Sequence, residues 1–405
     1  MIYARKFEII GSLEDDMYKI LTLNKIAKEG LDVFPRDKYE AGDAFALPDA
    51  IILRSFKMHD MELPESLLAV GRAGSGVNNI PLDACSEKGI VVFNTPGANA
   101  NAVKELTIAG LLLASRDIAG GIAYAQTLKD KGDEVRALVE KNKKQFAGTE
   151  IAGKTLGVLG LGKIGVMVAN AALELGMKVT GCDPFLSVES AWALSCDVRR
   201  AKKMEDIFAE ADYITLHMPL NSSTRGMINK EKLSLMKKGV KLLNFSRGEI
   251  VDTDALAEAL ETGRADRYVT DFPDEKVLKM KNVIAIPHLG ASTEEAENNC
   301  AVMAASQLRD FIETGNIKNS VNYPDCELEP SSEFRLLVMN RNIPNMVSQI
   351  SSLLAKGRMN IVEMLNKSKG DYAYCIIDIP EKPGRDIIAD MLKIDGVIRT
   401  RLIRK

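Results

Sequence analysis

From residue 154 to residue 287 the sequence alternates short apolar runs with amphipathic helical patterns, and this alternation restricts the fold more than any other feature. The runs KTLGVLG, MKVTGCD, DYITLHMP, VKLLNFS, RYVTDF and NVIAIPH read as strands. Strands separated by helices lie parallel, and strands without a polar face are covered on both sides. The sequence therefore predicts an α/β domain with a parallel, Rossmann-like sheet between two layers of helices.

The segments on either side predict two further domains. Residues 1–98 show a second alternation, with strands in DAIILRS, LLAVGRAG and GIVVFNTPG, and one helical pattern runs from Asn101 through Leu128. Another helical pattern fills 292–314 and returns the chain to the first domain. After a proline-containing linker the order becomes βαββαβ, typical of a ferredoxin-like module. The predicted domains are 1–98 with 286–325, 99–285, and 331–405.

Composition excludes several classes of protein. The net charge is −3, which argues against a nucleic-acid or membrane partner. None of the six cysteines has metal-ligand spacing, so we predict no metal and a reducing compartment. The start, MIYARKFEII, lacks the apolar run of a signal peptide. The longest apolar stretch, LTIAGLLLA, is far shorter than the roughly 20 residues that span a bilayer. These features predict a soluble cytoplasmic protein.

A glycine motif follows the first strand of the central pattern and opens a helix. In it Gly160 permits a tight turn, Gly162 lets backbone approach a pyrophosphate, and Gly165 lets helix and strand pack closely. The helix N-terminus offers free N–H groups to phosphates. Asp183 ends the next strand, where a carboxylate binds ribose hydroxyls and repels a 2′-phosphate. We therefore predict NAD rather than NADP, although Asp183 before a proline is also an ordinary turn starter.

Polar residues at three strand ends supply a candidate catalytic set. His288 follows a buried strand, and Arg247 ends another, where a guanidinium can grip a carboxylate with two hydrogen bonds. A carboxylate bonded to an imidazole fixes its tautomer and leaves the other nitrogen for proton transfer. The stretch YVTDFPDEK offers Asp271, Asp274 and Glu275 for that role.

The other two histidines are less informative. His59 lies in a polar loop and is most simply a surface residue. His217 ends a strand at the edge where ligands bind in such sheets, so it either lines the cofactor pocket or, as we favour, has a structural role.

The motifs GLGKIG, CDP, LHMPL, NFSRGEIVD, DFPDE and PHLGAST together resemble the D-isomer-specific 2-hydroxyacid dehydrogenases, over nearly all of the first 325 residues. The resemblance implies a catalytic set of Arg247, Glu275 and His288. Asp271 would contact the nicotinamide amide; it directly precedes Phe272, where the family usually has one residue between. The predicted cofactor site comprises Gly160, Gly162, Lys163, Ile164, Gly165, Asp183, His217, Pro219, Thr224 and Asp271.

Within that family, three features resemble D-3-phosphoglycerate dehydrogenases. Arg54, in ILRS, would bind the substrate phosphate; the alternative is that it is an ordinary surface arginine. The loop GRAGSGVNNI would bind the substrate carboxylate, a role shared by the wider family. The C-terminal module looks like an ACT domain, which in related enzymes binds serine. The substrate site is predicted to comprise Arg54, Ser75, Gly76, Val77 and Asn101, and the possible serine site Asn340, Asn342 and Asn360.

The resemblance implies NAD-dependent oxidation of D-3-phosphoglycerate to 3-phosphohydroxypyruvate, the first step of serine biosynthesis, by a homodimer or homotetramer, with L-serine as a possible effector. Lys143, in a basic stretch, either joins the phosphate site or is solvated. A glycerate or hydroxypyruvate reductase and a non-catalytic NAD-sensing scaffold remain alternatives. The C-terminal module alternatively serves only in oligomerisation.

Overall fold

The computed structural model describes residues 7–9 and 17–405. The chain divides into two compact units. The terminal unit comprises the chain up to Ala98 together with Glu297–Lys405, and the central unit comprises Asn99–Ala296.

The division falls later than the predicted boundary at residue 285. The reason is that the loop after that residue is bonded to the central unit. The His288 N–H donates to the carbonyl of Asp271 at 3.0 Å, and the Gly290 N–H donates to its carboxylate, also at 3.0 Å.

The first part of the terminal unit carries a five-stranded parallel sheet. Its elements are β1 (Phe7–Ile9), β2 (Tyr18–Leu23), α1 (Lys28–Leu31), β3 (Tyr39–Gly42), β4 (Ala50–Leu53), β5 (Ala69–Arg72), α2 (Leu82–Glu87) and β6 (Val91–Phe93). The sheet order is β3-β2-β4-β5-β6, with β1 outside it. All four residues of β4 are buried, as both faces of a covered parallel sheet require. The three strands predicted in this region are confirmed.

The central unit is built on a seven-stranded, wholly parallel sheet. Its strands are β7 (Thr155–Leu159), β8 (Lys178–Cys182), β9 (Arg199–Arg200), β10 (Tyr213–Leu216), β11 (Val240–Asn244), β12 (Ala265–Thr270) and β13 (Val283–Ala285). They lie in the order β13-β12-β11-β10-β7-β8-β9. The order reverses between β7 and β10, and in such sheets ligands bind outside the carboxyl ends of the strands at this switch point. The predicted Rossmann-like sheet is confirmed.

The central unit also contains helices. They are α3 (Ala100–Ser115), α4 (Ile118–Gln126), α5 (Val135–Asn142), α6 (Lys163–Glu174), α7 (Val188–Ala193), α8 (Met204–Glu210), α9 (Lys230–Leu235), α10 (Thr253–Glu261) and α11 (Glu275–Lys279). The prediction of one helix from Asn101 to Leu128 is wrong, because the chain is extended at Arg116 and Asp117 caps α4 by accepting a hydrogen bond from the Gly120 N–H. Within residues 17–405 no single helix has the length and composition to cross a membrane; α3 and α4 meet that test only when taken together, and they are bent by 74°.

The second part of the terminal unit has the predicted βαββαβ order. It begins with α12 (Glu294–Thr314), and the βαββαβ module follows as β14 (Phe334–Arg341), α13 (Met346–Lys356), β15 (Glu363–Lys369), β16 (Tyr372–Ile379), α14 (Arg385–Met391) and β17 (Val397–Arg404). The sheet order is β1-β17-β14-β16-β15, antiparallel except where β1 joins β17. One face packs on α13 and α14, and the other shares a core with α12 and the first sheet. This shared core explains why one unit contains both sheets.

A buried ion pair fastens the C-terminal sheet to the end of α12. Arg335 meets both oxygens of Asp378, at 2.7 and 2.9 Å, and also donates to the carbonyl of Thr314 at 3.0 Å. Burial alone would raise the pKa of Asp378, but the hydrogen bonds from Arg335 and Ser331 outweigh it and hold that pKa below its usual range. A buried pair with its hydrogen bonds satisfied is costly to break by removing one partner.

Candidate active site

The glycine loop between β7 and α6 has the geometry that its residues demand. Gly160 has φ +92°, and a Cβ there would lie 2.5 Å from the carbonyl oxygen of His217. A Cβ on Gly165 would lie 2.0 Å from the Gly160 carbonyl oxygen. A Cβ on Gly162, in contrast, would meet nothing within 4 Å. Two glycines therefore permit close packing, and the third leaves open space before the helix N-terminus, which fits a pyrophosphate.

The first turn of α6 contains Lys163 and Ile164, and Ile164 packs against the core of the central unit. Asp183 follows β8 and holds the glycine loop. Its Oδ2 accepts from the Leu161 N–H at 2.7 Å, and its Oδ1 accepts from the Phe185 N–H at 2.8 Å. The carboxylate therefore lies beside the loop that would carry the cofactor phosphates.

The loop after β10 contains three of the predicted cofactor residues. The ring of His217 bonds to the hydroxyl of Thr215 at 2.9 Å, and burial lowers its pKa to about 3. The imidazole is therefore neutral near pH 7. Thr224 donates to the carbonyl of Pro219 at 2.6 Å and so closes this loop on itself.

Arg247 lies at the end of β11 in a segment fixed by Asn244. The buried Asn244 side chain donates to the Arg247 carbonyl at 2.8 Å and accepts from the Ser246 N–H at 3.1 Å. The guanidinium lies 5.9 Å from the ring centroid of Phe272, within the range of a cation–π contact.

Asp271 and His288 meet at the ends of β12 and β13. Asp271 is 1% exposed; its Oδ2 accepts from the Gly290 N–H, and its Oδ1 has no hydrogen-bond partner. The exposed His288 ring lies 4.7 Å from the ring of Phe272, centroid to centroid. Burial raises the pKa of Asp271, and the Gly290 N–H and the charges of His288 and Arg247 oppose that rise. A buried carboxylate with a raised pKa is typical of functional sites.

Glu275 lies elsewhere. It begins α11, its side chain is 84% exposed, and its carboxylate pairs with Lys279 of the same helix. Within residues 17–405 no hydrogen bond or ion pair joins it to His288. Asp274 caps the same helix by accepting from the Val277 N–H. Of the three residues considered for His288, Asp271 is the one whose backbone carbonyl accepts from the His288 N–H, while its carboxylate accepts from the Gly290 N–H.

A cavity of about 690 Å³ opens at this edge of the sheet. Gly248, Tyr268, Asp271, Phe272, Pro287 and His288 contribute to its lining. The central unit therefore combines a phosphate-binding loop with a cavity that contains an imidazole and a buried carboxylate.

The terminal unit contains most of the residues predicted for the substrate. Arg54 follows β4, and its guanidinium pairs with Glu297 at 2.6 Å. In the loop after β5, the carbonyl of Ser75 accepts from the Asn94 side chain at 2.7 Å, while Gly76 and Val77 are partly exposed. The loop is thus held at its start and is accessible at its tip.

The remaining predicted residues are widely separated along the chain. Asn101, in α3, donates to Glu105. Asn340 is 1% exposed and donates to the Arg341 carbonyl, while its Oδ1 has no partner.

Asn342 donates to the Gly370 carbonyl, and Asn360 is exposed. Lys143 pairs with Glu140, as a solvated charge run would. His59 is exposed, as expected.

Two residues support the site although the sequence predicted no role for either. Asn244 fixes the Arg247 segment, and its signal was an amide side chain at the last position of a buried strand. Gly290 bonds Asp271, and a Cβ there would lie 3.1 Å from Oδ2. The glycine in PHLGAST was a visible sign of this close approach.

Residues 118–290 match the protein-family model of the D-isomer specific 2-hydroxyacid dehydrogenase NAD binding domain. A D-3-phosphoglycerate dehydrogenase from Methanocaldococcus jannaschii is 36% identical over 311 residues, 75% of this chain and 56% of that protein. One from Archaeoglobus fulgidus is 31% identical over 372 residues, 87% of this chain and 67% of that protein.

A solved structure shows the same fold. The crystal structure of NAD⁺-bound 3-phosphoglycerate dehydrogenase in Entamoeba histolytica superposes with a TM-score of 0.58 and 28% identity, covering 76% of this chain and 99% of that one. The chain spans about half to two-thirds of the length of the curated relatives it matches. The prediction of an NAD-binding domain is confirmed. This chain belongs to the D-isomer specific 2-hydroxyacid dehydrogenases.

Proposed function

We propose that the protein catalyses the NAD-dependent oxidation of D-3-phosphoglycerate to 3-phosphohydroxypyruvate, the first step of serine biosynthesis. The observation that carries the proposal is the meeting of Asp271 and His288 at the cavity beside Arg247, in a chain whose relatives are named D-3-phosphoglycerate dehydrogenases. An imidazole, a buried carboxylate and a guanidinium suit the oxidation of a hydroxy acid.

The reaction removes a hydride from C2 and a proton from the C2 hydroxyl. NAD, when bound, supplies the acceptor for the hydride. His288 accepts the hydroxyl proton, and Arg247 binds the substrate carboxylate through its planar fork of donors. The neutral His217 anchors its loop and takes no part in proton transfer.

Asp271, rather than Glu275, is the carboxylate that we assign to His288. Support comes from its burial, its unpartnered Oδ1 and the backbone hydrogen bond from His288 to its carbonyl. Glu275, in contrast, is exposed and pairs with Lys279 of its own helix. The carboxylate stabilises the imidazolium that forms as the proton is transferred.

In the terminal unit, Arg54 and the loop at Ser75, Gly76 and Val77 are proposed to bind the substrate phosphate and carboxylate. Support for Arg54 comes from its fixed backbone: its carbonyl accepts from the side chains of Arg72 and Asn79. A guanidinium on a held strand end is well suited to a phosphate monoester.

The C-terminal βαββαβ module is proposed to be an ACT domain that responds to L-serine, in a cytoplasmic homodimer or homotetramer. The buried and unpartnered Oδ1 of Asn340 supports a polar site near the end of β14. Titration with L-serine, monitored by NADH oxidation and by size measurement, separates regulation from a purely oligomeric role.

The direct test follows NADH oxidation with 3-phosphohydroxypyruvate and with hydroxypyruvate. Strong preference for the phosphorylated keto acid supports the proposal. Preference for hydroxypyruvate would instead favour a glycerate or hydroxypyruvate reductase. Tight NADH binding without turnover of either would favour a non-catalytic sensor.

A further inference from the structure

Arg54 already has an anionic partner inside the terminal unit. Its Nη1 lies 2.6 Å from Oε1 of Glu297, in the first turns of α12. The two side chains are 37% and 45% exposed, so the pair is open to solvent. Exposed pairs of this kind are weak, and an anion of higher charge can displace the carboxylate.

A second guanidinium lies close to the pair, because Arg72 donates from Nε to the Arg54 carbonyl at 3.1 Å. Burial raises the pKa of the Cys300 thiol, in the next turn of α12, and hydrogen bonding to Thr95 and the charges of Arg72 and Arg54 oppose that rise, whereas Glu297 adds to it. Two guanidinium groups and one carboxylate therefore act on the same point. Once Glu297 is displaced, the Arg54 guanidinium can pair with another anion.

We propose that Glu297 occupies the anion-binding position of Arg54 in the free protein and is exchanged for the phosphate of the substrate. The proposal rests on the proposed function, in which Arg54 binds that phosphate. Without a phosphate, Arg54 keeps its carboxylate partner and contributes nothing to binding. With one, the dianion replaces the carboxylate and pairs more strongly with the guanidinium. Glu297 is therefore a specificity-determining residue. It neutralises the charge of Arg54 in the free protein and, by competing for the guanidinium, weakens phosphate binding.

The test compares Glu297→Gln with Glu295→Gln. Both remove one negative charge from the start of the same helix, but only the first removes the partner of Arg54. Glu297→Gln should lower the KM for 3-phosphohydroxypyruvate and the Kd for inorganic phosphate by about two- to fivefold, the range of an exposed ion pair. It should leave the KM for hydroxypyruvate unchanged, and Glu295→Gln should change none of these values.

An unchanged or increased KM for 3-phosphohydroxypyruvate in Glu297→Gln would overturn the exchange, because Glu297 would then be neutral or necessary for holding Arg54. Equal tightening by Glu295→Gln would also overturn it, since the effect would be one of general charge.

Arg54→Ala separates this failure from failure of the proposed function. If Arg54→Ala weakens only the phosphorylated substrate while Glu297→Gln has no effect, the exchange alone is wrong. If Arg54→Ala weakens both substrates equally, Arg54 is not the phosphate ligand and the exchange fails with that assignment.

Discussion

Two stretches follow strands at the carboxyl edge of the seven-stranded sheet, and they differ in what determines their geometry. The loop 160–165 is determined by its own backbone: a positive φ at Gly160 and a close approach at Gly165. The stretch 271–275 acquires its chemistry from a neighbour, because Asp271 meets His288 only where β12 pairs with β13. The first loop can be read from local sequence, whereas the second depends on strand register.

The largest expected effect lies in the second region. His288→Asn should lower turnover by about 10²–10⁴-fold, the usual contribution of a positioned acid–base group, and leave NADH affinity unchanged. Steady-state kinetics and NADH fluorescence titration measure the two quantities. Turnover equal to wild type would remove His288 from the reaction.

The loop 160–165 provides a matched pair of substitutions. Gly165→Ala places a Cβ against a backbone oxygen. It should lower the free energy of unfolding by about 1–3 kcal/mol and also weaken NADH binding. Gly162→Ala meets only open space, so it should weaken NADH binding while leaving the thermal midpoint unchanged. Equal losses of stability in the two variants would contradict the distinct roles given to these glycines.

Asp183 offers a smaller effect. Its charge should favour NAD over NADP. Asp183→Asn removes the repulsion of a 2′-phosphate, so it should lower the ratio of kcat/KM with NAD to kcat/KM with NADP by about tenfold. The remaining amide oxygen can still accept one backbone hydrogen bond. Comparable efficiency of the wild type with both cofactors would contradict this role.

The smallest effect concerns the pH dependence. Activity that needs ionised Asp271 is present above the pKa of that carboxyl and is lost as pH falls through it. Since burial raises this pKa, the loss should begin at a higher pH than for an ordinary aspartate. Glu275→Gln should leave the profile of kcat/KM against pH unchanged. A shifted acid limb in that variant would assign the limb to Glu275.

Much of the fold was readable from the sequence because apolar runs and amphipathic patterns alternate strictly from β7 to β13. The break between α3 and α4 could not be predicted, because apolar residues continue on both sides of it. Only Asp117, the N-cap of α4, marks the break. β9 was missed because two arginines carry no strand signal.

The candidate site divides in the same way. Glycines and strand-end residues such as Arg247 and His288 were located by motif and by period. The choice among Asp271, Asp274 and Glu275 could not be made from the sequence, because three neighbouring carboxylates look alike there. In the structure Asp274 caps α11 and Glu275 pairs with Lys279. The Arg54–Glu297 pair joins residues far apart in sequence and had no local signal.

The most direct test of the account compares Asp271→Asn with Glu275→Gln in kcat/KM and in thermal midpoint. The raised pKa of Asp271 means that its charge lowers stability above that pKa, so Asp271→Asn should keep or raise the midpoint at pH 7 while lowering kcat/KM about 10²-fold. Glu275→Gln should change neither. A large loss of activity in Glu275→Gln, with Asp271→Asn still active, would contradict the assignment of Asp271 to His288.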